Sequence, residues 1–334
     1  MTFMSKFLGA AAALALTAGA ALAEPALIYD LGGKFDKSFN EAAFNGAERF
    51  AKESGGSYRD IEIQSEAQRE QALRRFAEAG MNPIVTTGFA IANIVGEVAK
   101  DYPDTKFVNV DGWLPEVPEN VLLINFQEHQ GSYLVGMLAA MASKSGTVGF
   151  IGGMDIPLIR HFGCGYAQGA KAVNPDINII ANMTGTTPTA WNDPVKGSEL
   201  AKAQISQGAD VIYAAAGGTG VGVLQTAADE NILSIGVDSN QNHLHPGKVL
   251  TSMLKRVDVA VFEAMTAGEN LETGKFMTLG LAEEGVGYAV DENNEALLTA
   301  EMREKVEAAR AAIIDGSLEV AAYYTNDSCP VLDF

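Results

Sequence analysis

Short apolar runs alternate with longer helical patterns along most of the chain. Runs of this length, bounded by turn residues and separated by amphipathic stretches, predict parallel strands covered by helices on both faces. The predicted strands are 26–29, 58–63, 83–87, 107–110, 121–126, 148–151, 177–182, 211–216, 233–237 and 249–253. The predicted helices begin at Ser38 and then cover 66–79, 91–100, 131–142, 158–173, 194–207 and 221–229. The fold class is therefore α/β.

The first strand–helix unit has the features of a ligand-binding loop. The strand ends at Asp30, two glycines follow, and Ser38 and Glu41 have the spacing of a capping box at the start of a helix. Phe39 and Asn40 therefore lie at a helix N-terminus beside a strand end. Because ligands of open α/β sheets bind beyond the carboxyl ends of the strands, we expect this stretch to form half of a cleft.

The chain contains an internal repeat. Residues 148–173 repeat the order of residues 26–50, namely strand, Gly-Gly, polar loop and helix, with Gln-Gly-Ala at 168–170 matching Asn-Gly-Ala at 45–47. Residues 83–112 and 211–239 match in the same way. The repeat predicts two Rossmann-like lobes joined by hinge crossovers. The predicted lobes are 25–145 plus about 256–275, and 146–255 plus about 276–334.

The first residues and the overall charge limit the location and the partners. Residues 1–23 have a positive start, an apolar core and an A-x-A cleavage signal, so they are predicted to be a secretory signal peptide. No cysteine lies near the cleavage point, which predicts a free periplasmic protein rather than a lipid-anchored one. The formal net charge is −19, without any basic block, so nucleic acid and anionic lipid are poor partners.

Cysteine and histidine usage gives little indication of a metal site. Cys164 and Cys329 form one disulfide or remain two separate buried thiols; both alternatives fit an exported protein. No CxxC or HExxH spacing occurs, and His243 and His245 have no third ligand in view, so a loop role is favoured for this pair. No metal and no cofactor are expected.

Several spaced motifs together resemble the basic membrane protein family, the substrate-binding proteins of bacterial ABC importers. The motifs are DKSFN at 36–40, GGMDIP at 152–157, WNDPVKG at 191–197 and GVD at 236–238. The resemblance covers nearly the whole chain after the signal peptide. It implies the type I periplasmic-binding fold, a purine nucleoside as ligand, and ABC permease and ATPase subunits as partners. We expect a monomer.

The resemblance also implies roles for individual residues. The base would lie between Phe39 and Trp191, and the sugar would be held by Asp30, Asp238 and Lys255. Stacking suits the two faces of a purine, and carboxylates accept from neighbouring hydroxyls. Where the family usually has an acid that reads the base edge, this chain has Gln130, which predicts an altered base preference. Further expected ligand residues are Asn40, Gly88, Phe89, Met154, Asp155 and Gly217.

Two other functions compete with this interpretation. The glycine-rich segment 217–222 follows a strand, but its spacing is not that of a dinucleotide-binding loop, and no nucleophile elbow occurs, so catalysis by an exported nucleoside-processing or NAD-dependent enzyme is disfavoured. A sugar receptor of the same fold is the main alternative, because Asp, Asn and aromatic side chains also suit pyranoses. In either receptor, the ligand would bridge the lobes and drive hinge closure.

Overall fold

A computed structural model describes residues 23–325 and 327–334 of the chain. The predicted signal peptide therefore lies, apart from Ala23, outside the described residues. No helix in the described part of the chain is long and apolar enough to cross a membrane.

The strands are β1 (Ala26–Tyr29), β2 (Arg59–Glu62), β3 (Ile84–Thr87), β4 (Phe107–Val110), β5 (Val121–Phe126), β6 (Thr147–Met154), β7 (Asn178–Gly185), β8 (Val211–Ala215), β9 (Leu233–Asp238), β10 (Val249–Lys255), β11 (Lys275–Leu279) and β12 (Val286–Tyr288). The helices are α1 (Phe39–Ser54), α2 (Gln68–Glu78), α3 (Ala92–Asp101), α4 (Glu128–Ala142), α5 (Pro157–Val173), α6 (Pro194–Ser206), α7 (Thr219–Asp229), α8 (Val257–Ala267) and α9 (Ala300–Ile314).

The strands form two sheets of the same design. The first has the order β11-β5-β4-β3-β1-β2 and is parallel throughout. The second has the order β12-β10-β9-β8-β6-β7, and only its edge strand β12 runs antiparallel. Strands β1, β3 and β4 are fully buried, as expected for parallel strands covered on both faces. The predicted α/β class and the two-lobed architecture are confirmed.

The lobe boundaries differ from the prediction at helix α4 and at strand β11. Helix α4 follows the first sheet in sequence but packs against α5, β10 and β12 of the second lobe. The chain therefore first crosses between lobes just after β5, near residue 127, and not at 145. Helix α8 crosses in the opposite direction. It follows β10 of the second sheet but packs against α1 of the first lobe. Strand β11 then joins the first sheet, so a further crossing connects it to β12.

Glycines at equivalent positions of the two repeats allow close packing of α1 against α8 and of α5 against α4. A Cβ at Gly46 would overlap the backbone carbonyl of Asp258, and a Cβ at Gly169 would overlap that of Tyr133. Only glycine permits backbones to approach this closely. The Gln-Gly-Ala and Asn-Gly-Ala matches in the sequence therefore mark equivalent packing sites, α1 against α8 and α5 against α4.

Candidate functional site

A cleft between the two lobes lies at the carboxyl ends of both sheets. Its cavity volume is about 90 Å³, which suits a small ligand rather than a polymer. The predicted ligand residues that line it are Asp30, Phe39, Asn40, Gly88, Phe89, Trp191, Gly217, Asp238 and Lys255. The structure thus brings together residues from seven separate segments of the sequence.

Asp30 closes β1 and is held by a buried arginine. Its carboxylate accepts two hydrogen bonds from Arg69, at 2.8 Å from Nε and 3.1 Å from Nη2. Arg69 lies on α2 and is only 5% exposed. The sequence prediction missed this residue, although a charged residue on the same helix face as Leu73 and Phe76 signals a buried partner. Asp30 can still accept from a ligand through its remaining lone pairs.

Asn40 is fixed at the mouth of the cleft by the neighbouring strands. Its Nδ2 donates to the carbonyl oxygens of Asp30 and Gly33, both at 3.2 Å, and its Oδ1 accepts from the Thr87 hydroxyl at 2.9 Å. The Thr87 hydroxyl in turn accepts from the backbone N–H of Asp30 at 3.1 Å. The network orients the start of α1 against β1 and β3.

The predicted capping box is wrong, because Asp36 caps α1 instead. Its carboxylate accepts from the backbone N–H groups of Ser38 at 2.8 Å, Asn40 at 3.1 Å and Glu41 at 3.1 Å. The Ser38 hydroxyl is thereby free to donate across the cleft to the Asp238 carboxylate. Burial raises the pKa of Asp36 to about 7, against the opposing effect of its backbone donors.

Lys255 is the centre of a buried ionic cluster. Its ammonium, in a side chain that is 1% exposed, lies 2.6 Å from Asp111 Oδ2 and 2.9 Å from Glu128 Oε1. The rings of Phe39, Phe126 and Phe162 surround it at 5.2, 5.1 and 5.4 Å. Burial alone would lower the pKa of Lys255, but the surrounding carboxylates raise it above its usual value.

The acids around Lys255 outnumber the bases. Burial raises the pKa of Asp111 and of Asp238 to about 6, with the Lys255 charge acting in the opposite direction, and burial also raises the pKa of Glu128. The cleft and its walls hold five carboxyl groups, from Asp30, Asp36, Asp111, Glu128 and Asp238, and the cations of Arg69 and Lys255. The excess of acceptors suits a ligand rich in hydroxyl or N–H donors and disfavours an anion.

The repeat identifies a cleft-lining residue, Asp111, that the prediction left out. Asp111 follows β4 as Asp238 ends β9, and both have a positive φ, 68° and 62°, which is uncommon for non-glycine residues. The sequence match between residues 107–112 and 234–239 contained this equivalence.

Trp191 enters the cleft from a short 3₁₀ turn, Pro188–Trp191, that follows β7. A Cβ at Gly153 would overlap the indole ring, so the backbone of β6 forms a flat support for it. The predicted strand 148–151 was too short: β6 continues through Gly152 and Gly153 to Met154. Because of this continuation, Gly153 is part of the strand and lies against the indole ring of Trp191.

Three predicted ligand residues do not line the cleft. Gln130 Oε1 accepts from the backbone N–H of Leu281 at 2.9 Å, so this side chain fixes the crossing between β11 and β12. Glu128, two residues earlier, supplies the acid near the cleft. Asp155 is paired with Arg160, at 2.6 Å from Nε and 2.9 Å from Nη2, and Met154 precedes it outside the cleft. The expected role of Gln130 in base recognition is therefore not supported by its position.

The lobes also contact each other directly, so the structure is a closed form. The Ser239 hydroxyl donates to the carbonyl oxygen of Ser38 at 2.8 Å, and Gln241 Nε2 donates to that of Lys37 at 2.9 Å. With the bonds from Ser38 to Asp238 and from Lys255 to Asp111, these contacts close over the side chains of the cleft.

A disulfide fixes the C-terminal segment to the second lobe. Cys164 of α5 is bonded to Cys329, with their Cα atoms 5.5 Å apart, which decides between the two alternatives left open by the sequence. Gln168 accepts from the backbone N–H of Ala321 at 2.9 Å and donates to its carbonyl oxygen at the same distance. Within residues 23–325 and 327–334, no group of three or more His, Cys, Asp or Glu side chains is placed to hold a metal ion.

Two α/β lobes closed over a buried polar cleft define a solute-binding protein of the type I periplasmic class. Comparison with known proteins gives the family. The family model described as ABC transporter substrate-binding protein PnrA-like matches residues 26–322. The chain belongs to this family, the Bmp or basic membrane protein family.

Individual relatives agree with this assignment. The chain is 30% identical over 318 residues to the ABC transporter nucleoside-binding protein BmpA of Lactococcus lactis subsp. cremoris, covering 88% of each chain. It is 36% identical over 278 residues to an uncharacterized lipoprotein of Pyrococcus furiosus, covering 79% of this chain and 69% of that one. A crystal structure of an ABC transporter solute-binding protein from Aeropyrum pernix K1 has a TM-score of 0.83 at 28% identity, covering 91% of this chain and 95% of that one.

Proposed function

We propose that this substrate-binding protein captures a purine nucleoside, or a related purine, between its lobes and delivers it to the permease of an ABC importer. The observation that carries the proposal is that Phe39 of the first lobe and Trp191 of the second line one cleft together with carboxyl groups at strand ends. The relative named as nucleoside-binding supports the same ligand class.

The aromatic pair accounts for recognition of a base. A purine has two π-faces, and each base–aromatic stacking contact contributes about 1–3 kcal/mol. Because Phe39 begins α1 and Trp191 follows β7, a base between them would contact both lobes at once. Such contacts exist only in the closed form, so they would favour closure.

The acidic cluster accounts for recognition of sugar hydroxyls. Asp238 and Asp30 lie at strand ends in the cleft, and Asp111 Oδ1 is buried without a hydrogen-bond partner. Each could accept from a ribose hydroxyl, while the remaining ammonium proton of Lys255 could donate to a sugar or base oxygen. A phosphorylated nucleotide would bring negative charge into a cleft that already has an excess of it, so the uncharged nucleoside is favoured.

We further propose that the protein acts as a monomer in the periplasm without a lipid anchor, with the permease and ATPase subunits as partners. The relative named as a lipoprotein differs from this expectation. In this chain the cysteines at 164 and 329 are bonded to each other, which supports a free mature protein. We propose a binding function rather than an enzymatic one, because ligand binding alone accounts for the cleft.

A ligand screen tests the proposed ligand class. Purified protein is heated with purine nucleosides, free purines, pentoses and hexoses at one concentration, because binding to the folded form raises its apparent stability. We expect nucleosides to give the largest shifts in melting temperature. Shifts confined to pentoses or hexoses would show that the protein is a sugar receptor of the same fold.

A further inference from the structure

A second cavity, of about 1220 Å³, lies beside the ligand cleft and shares Phe89, Asp111 and Leu158 with it. It is bounded by Trp113 of the first lobe, by residues 125–130 at the first crossing and by C-terminal residues such as Leu318 and Tyr324. We call this space the hinge-side cavity. Apart from the three shared residues, Phe126 and Glu128 also belong to the surroundings of the nucleoside site, through their contacts with Lys255.

Aromatic surfaces form two sides of the hinge-side cavity. Trp113 is 68% exposed and Tyr324 is 51% exposed, which is unusual for side chains of this size. The Tyr324 ring lies 4.6 Å from the His161 ring, which in turn lies 4.3 Å from the His129 ring. Exposed aromatic side chains that line a cavity are typical of a binding site for a flat molecule.

The polar wall of the hinge-side cavity contains carboxyl groups, and its described lining has no Lys or Arg. Glu319 is an exposed acid at its rim. Glu128 is 1% exposed, yet no described residue forms a hydrogen bond with its Oε2. His129 is 8% exposed, and its Nδ1 likewise has no hydrogen-bond partner among the described residues. Buried acceptors of this kind indicate a missing donor, because an unpartnered buried polar atom is costly.

His129 and His161 do not offset the negative charge of this wall. Burial lowers the pKa of both His129 and His161 to about 3, so both rings are uncharged near neutral pH. His161 Nδ1 accepts from the backbone N–H of Tyr323, which places its ring proton on Nε2, 3.9 Å from Glu128 Oε2. That separation is too long for a hydrogen bond. Lys255 faces Glu128 and Asp111 from the cleft side and leaves the wall acidic.

We propose that the hinge-side cavity binds a flat aromatic amine as its ammonium cation, independently of the solute in the cleft. The ring would lie against Trp113 and Tyr324, where cation–π attraction adds to apolar contact. The ammonium group would donate to the free Oε2 of Glu128, and Glu319 would add attraction at the rim. An aromatic acid of the same shape would instead bring its carboxylate beside Glu128 and Glu319, without a Lys or Arg in the described lining to pair with it.

Calorimetry with the full chain and tryptamine tests the site, with indole-3-acetate as a ligand of equal ring and opposite charge. We expect saturable binding of tryptamine and affinity for indole-3-acetate at least about tenfold weaker, because the wall has no cation to pair with a carboxylate. Trp113→Ala should weaken tryptamine binding about threefold or more through loss of the cation–π contact. Glu319→Gln should weaken it about two- to fivefold.

Matched variants separate this site from the cleft. Glu304→Gln removes an exposed acid outside the hinge-side cavity and should leave tryptamine affinity unchanged. Trp191→Ala removes the aromatic wall of the cleft and should also leave it unchanged, whatever ligand the cleft binds. The proposal is overturned if tryptamine does not bind, if both indoles bind equally, or if Trp191→Ala rather than Trp113→Ala reduces tryptamine binding.

Discussion

Asp111 and Asp238 are repeat-related residues that approach the same lysine from opposite lobes. Each ends its strand with a positive φ, and the charge of Lys255 acts on both carboxyl groups. Asp111 belongs to the first lobe, whereas Lys255 and Asp238 belong to the second. The ion pair from Asp111 to Lys255, at 2.6 Å, is therefore a bond between the two lobes.

Replacing the inter-lobe carboxylate should weaken ligand binding through closure. Asp111→Asn keeps a side chain that tolerates a positive φ, so the backbone is not strained. The variant removes one charge from a buried pair, and we expect solute affinity to fall by about 1–3 kcal/mol. Calorimetry with the best solute from the ligand screen measures the change. Asp104→Asn, at an exposed position, is the control, and equal affinities in both variants would contradict the role of Asp111.

Gly153 should be required for ligand binding rather than for folding. In Gly153→Ala the added methyl group would overlap the Trp191 ring and displace it from its support on β6. We expect solute affinity to fall by roughly the value of one stacking contact, about 1–3 kcal/mol. Gly287→Ala places a methyl group in open space on β12 and serves as the control. If the two variants bind solute equally, the indole ring does not depend on Gly153.

The buried cap of α1 should make stability depend on pH. The pKa of Asp36 is about 7 in the folded protein and 3.8 as its ordinary value. The folded state therefore binds more protons between pH 4 and 7, so this contribution to stability is full below pH 4 and is lost as pH rises through 7. The slope is at most about 1.4 kcal/mol per pH unit for one such group.

Thermal unfolding of Asp36→Asn measures this contribution. We expect the melting temperature of the natural protein minus that of the variant to be more positive at pH 5 than at pH 8. At pH 5 only the natural protein gains a proton on folding, and this stabilises its folded state. Carboxyl groups with lowered pKa values elsewhere, such as Asp291, change equally in both proteins and cancel in the difference. A difference that does not vary with pH would show that Asp36 is ionised in both states.

The sequence predicted the duplicated α/β architecture because strand ends are set by local patterns. Asp30, Phe39 and Asp238 follow short buried strands, and their positions in the cleft are a direct consequence of parallel sheet geometry. The internal repeat also contained Asp111, which could have been found by matching both copies residue by residue.

Other features depended on contacts that no local pattern reveals. The lobe to which α4 belongs is decided by the close approach of α4 to α5 at glycines. The family resemblance places Gln130 in the cleft, whereas its side chain lies at the crossing between β11 and β12. The sequence pattern ends this strand at residue 151, before the glycine pair. Pairing of Gly152 with β7 and β8 on its two sides extends β6 beyond that point. Arg69 was missed because its partner, Asp30, lies on another element.

Stacking of a purine on Trp191 is the central claim, and the fluorescence of this residue tests it most directly. The chain has two tryptophans, so Trp113→Phe leaves Trp191 as the only indole. Titration of this variant with a purine nucleoside should change the emission of Trp191 saturably, with the affinity found by calorimetry, and ribose alone should not. Saturable nucleoside binding without any change in Trp191 emission, or a change produced by sugars alone, would contradict the account.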